Sequence, residues 1–191
     1  IGYAAPEAGT SLGSVLTSAV LDGDEWLIYG NKVYTSGANQ ADYIWLACRT
    51  DTEAPKHKGI SIIIVPTDAP GFTASEIKHK LGMHASDTAE LALDEVEVPD
   101  DAMLGQIGEG FKVAMTALES GRYSVAAGCV GICAGSLECS IEYAKQREQF
   151  GKPITSFEGI QFMLADMATE IEAARALVYA EARMIDSGAK D

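Results

Sequence analysis

Several stretches of the chain group side chains whose chemistry could serve a ligand. Arg147-Glu148-Gln149-Phe150-Gly151-Lys152-Pro153-Ile154 sets a guanidinium at a chain reversal, where its rigid fork of donors could grip a phosphate or carboxylate. The plainer role is a cation complementing the C-terminal dipole of its own helix. Tyr34-Thr35-Ser36 puts an aromatic face beside two hydroxyls at a strand end, enough to stack and hydrogen-bond a ring system, or simply to close a strand in a turn. Gly2-Tyr3-Ala4-Ala5-Pro6-Glu7-Ala8-Gly9-Thr10-Ser11 is small and turn-rich. Its backbone could lie flat on a planar ligand and donate N–H groups to it, or form an ordinary loop. Lys56-His57-Lys58 and Lys78-His79-Lys80 hold four of the fourteen basic residues and are candidates for meeting a phosphate-bearing ligand, the alternative being solvated loops. Glu119 and Arg122 stand three apart, a spacing at which they can pair along a helix.

The same reading excludes other chemistries. No P-loop, dinucleotide fingerprint, serine-nucleophile elbow or H-E-x-x-H pattern occurs. The net charge of −14, from 28 acidic and 14 basic residues, argues against nucleic acid as a partner, because phosphate contacts need clustered cations. Cys48, Cys129, Cys133 and Cys139 lack C-x-x-C spacing and read as buried thiols in a reducing compartment, so no metal site is expected.

The elements that must position these groups fall into two halves, 1–105 and 106–191. Strands are expected at 15–20 and 26–29, joined through Asp22-Gly23-Asp24 as a hairpin, and at 32–35, 43–47, 60–65 and 91–98. Gly30-Asn31 is expected to separate two of them. This half predicts a small antiparallel β-barrel or sandwich. Past residue 105 the apolar period becomes helical, and one helix is expected to run from Phe111 to as far as Phe150, with Gly151 ending it. Its apolar middle, residues 125–135, predicts burial all round and is too short to span a bilayer, so no membrane insertion is expected. A second helix is expected over 156–187, opened by a capping box of Thr155 and Glu158, with Ile160, Leu164, Met167, Ile171, Ala174 and Val178 on one stripe and Gly188 as its cap. Two long antiparallel helices form an incomplete helical bundle. No signal peptide is legible, and because position 1 is Ile, an N-terminal part is expected to precede it.

In order along the chain, Pro6-Glu7-Ala8-Gly9, Gly30-Asn31-Lys32-Val33-Tyr34-Thr35-Ser36-Gly37, Lys80-Leu81-Gly82-Met83-His84-Ala85-Ser86-Asp87-Thr88, Val96-Glu97-Val98-Pro99, Gly108-Glu109-Gly110-Phe111, Arg147 to Ile154 and Gln161-Phe162-Met163-Leu164-Ala165-Asp166-Met167 resemble the acyl-CoA dehydrogenase family. The resemblance implies a middle β-domain and the first two long helices of a C-terminal bundle, about the middle half of an enzyme. It implies FAD as cofactor. Tyr3, Ala4 and Thr10 would wrap the flavin's pyrimidine side, and Tyr34, Thr35 and Ser36 would support the isoalloxazine. Arg147, Gln149, Phe150, Phe157 and Glu158 would reach the FAD of a neighbouring subunit. Thr10, His57, Glu119 and Arg122 would line the acyl-CoA channel. The implied partners are an acyl-CoA substrate, an electron-transfer flavoprotein as electron acceptor, and further copies in a homodimer or tetramer. The implied compartment is the bacterial cytoplasm or the mitochondrial matrix.

Departures from the family pattern qualify the reading. Ala4-Ala5 stand where a hydroxyl residue and a Glu usually precede the Pro, Thr10-Ser11 replace Ser-Asp, and Tyr34 replaces Trp, so weakened flavin binding is expected. The family's α-proton base comes in most members from a helix beyond residue 191, and in others from the position of Gly121. No catalytic residue is assigned, and a chain ending at Asp191 is expected to lack dehydrogenase activity. Two other readings stay open. One is a related acyl-CoA oxidase or flavin monooxygenase; the other is a non-catalytic ligand-binding or assembly module.

Overall fold

A computed structural model describes residues 1–188 and divides the chain by its internal contacts into two compact units, Ile1–Thr116 and Ala117–Asp191. The boundary proposed near residue 105 lies eleven residues before the end of the first unit, inside it.

The first unit is one six-stranded sheet of β1 (Ser18–Asp22), β2 (Glu25–Ser36), β3 (Tyr43–Arg49), β4 (Ile60–Pro66), β5 (Phe72–Glu76) and β6 (Thr88–Pro99). Their order is β4-β3-β1-β2-β6-β5, and all pairings are antiparallel except a single parallel one, Ser18 with Arg49. The expected hairpin forms, with Gly23 at φ 66° opening its two-residue turn. Several boundaries differ from expectation. The first strand starts at Ser18 rather than residue 15, β3 runs on to Arg49 rather than 47, β6 starts at Thr88 rather than residue 91, and β2 runs unbroken through Gly30-Asn31. Gly30 is there for close approach: a Cβ on it would lie 2.7 Å from the Cα of Thr17. β5 escaped the sequence reading because its Phe-Thr-Ala-Ser-Glu carries a single large apolar residue on an edge strand.

Alternation along β4 explains why it reads as a continuous apolar run. Ile60 and Ile62 enter one core with Val15 and Ala47, while Ile63 and Val65 enter another with Trp26, Ile28, Leu46 and Val98. The helix α1 (Gly110–Gln146) starts hard against this strand. A Cβ on Gly110 would sit 2.5 Å from the backbone of Ser61, whose Oγ accepts from the Gly108 N–H at 2.9 Å. Gly110→Ala is therefore expected to destabilise the first unit by about 1–3 kcal/mol through overpacking against rigid backbone. Urea unfolding followed by tryptophan fluorescence checks this, since both tryptophans, Trp26 and Trp45, lie in this unit.

In the second unit α1 continues and ends at Gln146. A two-stranded hairpin, β7 (Glu148–Gln149) and β8 (Lys152–Pro153), then leads to α2 (Glu158–Asp186). Gly151 does not cap α1 as expected. With Phe150 at φ 53° and Gly151 at φ 76°, it forms the two positive-φ residues of the hairpin turn. The Thr155–Glu158 capping box does not form either, because Thr155 falls in a 3₁₀ turn and Phe157 occupies the N-cap without a side-chain bond. The predicted stripe on α2 holds: Ile171 is buried and Ile160, Leu164, Met167, Ala174 and Val178 are half-buried. Gly188 takes φ 73° just past the helix end. Residues 125–135 of α1 are largely exposed rather than buried all round. By length and composition α1 is also apolar enough to cross a membrane, a longer apolar stretch than the sequence reading recognised. Among the described residues no cluster of His, Cys, Asp or Glu could hold a metal.

Candidate functional site

The site on the first unit begins with a fault in the sheet. β1 meets β3 at one residue pair, and the N-terminal segment takes up the space between β3 and β2 like an extra strand. Gly2 N–H donates to Trp45 O at 2.8 Å, Ala47 N–H to Gly2 O at 3.2 Å, and Val33 N–H to Ala4 O at 3.0 Å. The last bond exists because β2 carries a bulge. Lys32 pairs with Leu91 and Thr35 with Ala89, so Val33 and Tyr34 together oppose one residue of β6.

That bulge reverses the side-chain parity of β2. Trp26, Ile28 and Lys32 point inward before it, and Thr35 points inward after it. Tyr34 takes φ 57° and stands out at 73% exposure. A positive φ on an aromatic residue is a strained conformation that the surroundings must hold in place. Beside it Thr35 is 2% exposed, and its Oγ1 has no hydrogen-bond partner. A buried hydroxyl left unpaired costs free energy and calls for an explanation.

The N-terminal loop supplies the other wall. It coils through turns closed by Ala8 N–H to Ala5 O and Ser11 N–H to Ala8 O, with Gly9 at φ 55° and Thr10 exposed. Glu7 Oε1 accepts from Leu16 N–H at 3.0 Å, and Arg49 ties the loop down through Gly13 O at 2.7 Å and Val15 O at 3.1 Å. Under the segment lies Lys32, fully buried, donating to Tyr3 O at 3.4 Å. Burial pushes its ammonium down to about 8, opposed by the nearby Cys48 thiol and Glu7 carboxylate. Burial also raises the Tyr3 hydroxyl, while the Trp45 indole N–H beside it works in the opposite direction. Neither of those two polar atoms reaches good hydrogen-bond geometry. His57, exposed on its loop, packs edge-on to Phe111 with ring centres 6.3 Å apart.

The second unit carries a separate cationic tip. Arg147 has its backbone fixed at both ends, N–H to Tyr143 O and C=O from Ile154 N–H, each at 2.8 Å, while its side chain is exposed and makes no ion pair among the described residues. Phe150 is 89% exposed and meets Phe157 edge-on at 6.1 Å, and Lys152 Nζ sits 4.5 Å over the Phe157 ring. The result is an arginine with a fixed backbone and a free guanidinium on the same hairpin as an aromatic pair, a set of groups suited to a diphosphate next to a flat heterocycle.

Both halves of the sequence match known domains. A sequence model of the acyl-CoA dehydrogenase middle domain matches residues 1–96, and one of the acyl-CoA dehydrogenase C-terminal domain matches residues 108–191. The chain belongs to the acyl-CoA dehydrogenase family. An acyl-CoA dehydrogenase of Bacillus subtilis is 42% identical over 183 residues, covering 96% of this chain and 48% of that protein. The butyryl-CoA dehydrogenase of Megasphaera elsdenii superposes with a TM-score of 0.90 at 40% identity, over 99% of this chain and 49% of its own. A chain from the structure of the electron transferring flavoprotein of Acidaminococcus fermentans gives 0.91 at 43%, over 99% and 50%. The chain thus spans about half the length of the family members it matches.

Of the residues that the acyl-CoA dehydrogenase resemblance singled out, Tyr3, Ala4, Tyr34, Thr35 and Ser36 are brought together through the Val33–Ala4 bond, with Thr10 on the same loop. His57 belongs to the same unit. Arg147, Gln149, Phe150, Phe157 and Glu158 cluster at the hairpin of the second unit, to which Glu119 and Arg122 also belong, both exposed and not paired to each other. Lys32, Trp45 and Lys152 carry no role in the sequence-based expectation. Lys32 was legible in principle, because it shares the even-numbered inward face of β2 with Trp26 and Ile28.

Proposed function

We propose that this chain is the flavin-cradling middle part of an FAD-dependent acyl-CoA dehydrogenase. The observation that carries the reading is the bulge of β2, which stands a strained, exposed Tyr34 beside the exposed hydroxyl residue Ser36, next to the N-terminal loop. A flavin ring, flat and edged with hydrogen-bonding atoms, would stack on the one and bond the other. When bound, FAD supplies the hydride acceptor for oxidation of an acyl-CoA between its α and β carbons.

This chain's own residues then have distinct tasks. Tyr34 would lie against the ring, Ser36 would offer its hydroxyl to the edge with Thr35 supporting the bulge from the core side, and Tyr3, Ala4 and Thr10 would close the other side. Arg147, with Gln149, Phe150, Phe157 and Glu158, would hold the pyrophosphate and adenine end on a second copy, which makes a homodimer or tetramer part of the reading. Thr10, His57, Glu119 and Arg122 would face the acyl-CoA. No residue here is assigned as the α-proton base, which fits a chain half the length of its relatives. The exposed apolar face of α1 is read as a surface for further helices of the family's C-terminal bundle rather than as a membrane span. An electron-transfer flavoprotein is the proposed acceptor of the electrons.

Arg147→Ala is expected to weaken FAD binding about tenfold or more, since a charged hydrogen-bond donor contributes roughly 1.5–3 kcal/mol, and Arg147→Lys to recover only part. Calorimetric titration with FAD checks this, and an unchanged affinity would remove the hairpin from the site. The activity itself is tested by adding acyl-CoAs anaerobically to the FAD-loaded enzyme. In the protein at its relatives' full length, bleaching of the flavin supports a dehydrogenase, and flavin that stays oxidised with every chain length sinks the reading.

A further inference from the structure

Lys32 is the largest fully buried side chain among the described residues and carries a charge-bearing group. A lysine is almost never fully buried without a partner, and the one hydrogen bond it makes is to a main-chain carbonyl, that of Tyr3. Its stem explains Gly2. A Cβ at Gly2 would come within 3.1 Å of Ile44 Cγ2 and Leu46 Cδ1 and 3.6 Å of Lys32 Cγ, so the segment lies directly on the lysine and its neighbours. That segment is the one whose Ala4 carbonyl accepts from Val33, the residue just before Tyr34.

We infer that Lys32 is a positioning residue that clamps the N-terminal segment into the sheet, fixing Tyr3 and Ala4 against the bulge that presents Tyr34 and Thr35. Without the clamp the segment is held by three main-chain bonds, to Trp45, Ala47 and Val33. The groups facing the ammonium are the Tyr3 carbonyl, the Glu7 carboxylate on the loop and the Cys48 thiol on β3. The carbonyl and the carboxylate favour its charged form. The lysine thereby couples the two walls of the site from beneath, out of reach of any ligand. The inference rests on the flavin reading for its consequence but not for its geometry.

The test compares Lys32→Met, which keeps the stem and removes the donor, with Lys32→Gln, which restores a donor. In the absence of flavin, amide hydrogen exchange at Val33 and Ala47 is expected to quicken at least tenfold in Lys32→Met, while the Leu46–Ile63 ladder stays protected, and to recover in Lys32→Gln. FAD binding is expected to weaken about tenfold in the first variant and to return in the second. Unchanged exchange at Val33 and Ala47 in Lys32→Met would overturn the inference. If Lys32→Met does not fold, lysine acetylation of the wild-type chain decides it. Lys32 is expected to resist the reagent while exposed Lys145 reacts, and equal labelling overturns the clamp. A wild-type chain that does not bind FAD removes the flavin reading alone, because the exchange and labelling results still decide what Lys32 does.

Discussion

Raising the pH from about 9 to about 12 is expected to strip the first unit of roughly 4 kcal/mol of stability through Cys48 alone, and Cys48→Ala to abolish that loss. The thiol is fully buried and accepts no charged partner strong enough to offset desolvation, so burial pushes it up to about 12 from an ordinary 9.0, with Lys32 pulling slightly the other way. Between those values the unfolded chain has lost the proton and the folded chain still holds it, so stability falls as pH rises. Lys32 acts in the opposite sense. Its folded value of about 8 lies below the ordinary 10.5, so between these the unfolded chain holds the proton and the folded chain has released it. Stability therefore rises over that window, by roughly 3 kcal/mol. The sum is a curve that climbs from about pH 8 to 9, flattens while the two slopes cancel, and drops above about 10.5. Urea unfolding at a series of pH values, read by Trp26 and Trp45 fluorescence, resolves it. Lys32→Met should remove the climb and Cys48→Ala the fall; a wild-type curve that only falls would mean that Lys32 is not buried as described, and one that only rises that Cys48 is not.

Thr35→Val is expected to stabilise the flavin-free chain by about 1 kcal/mol and to leave FAD binding within about twofold, whereas Ser36→Ala is expected to weaken FAD binding about tenfold and leave stability nearly unchanged. The Thr35 hydroxyl is buried without a partner, so replacing it with a methyl of the same shape removes a desolvation cost. The Ser36 side chain is exposed beside the bulge, and its loss leaves the ligand's own polar edge unpaired. Urea unfolding and FAD titration of the two variants check this. Weaker FAD binding in Thr35→Val than in Ser36→Ala would reverse the two assignments.

Much of the sheet was legible because β3 and β4 are runs of apolar residues and β6 alternates buried apolar with exposed residues, and α2 because its apolar positions recur at helical spacing. What escaped depends on partners that lie far away in sequence. Gly30 read as a turn because its need to lie against Thr17 is tertiary. The capping box at Thr155 failed because the Arg147–Ile154 hairpin and the following 3₁₀ turn delay the helix to Glu158. The candidate site followed the same rule. Tyr34, Thr35 and the N-terminal loop were identified by family resemblance, but the bulge that turns Tyr34 out and Thr35 in is a register shift against β6, and no local pattern encodes it. Lys32 was missed because a lone lysine in a strand ordinarily points to solvent.

The central claim is that this chain cradles flavin on the bulge of β2 but does not carry the base. The most direct test is the absorbance spectrum of the 191-residue chain after incubation with FAD and desalting, followed by anaerobic addition of acyl-CoAs. The account predicts retained flavin that acyl-CoA does not bleach. A colourless protein would contradict the flavin site, and bleaching would show that a base lies within these residues after all.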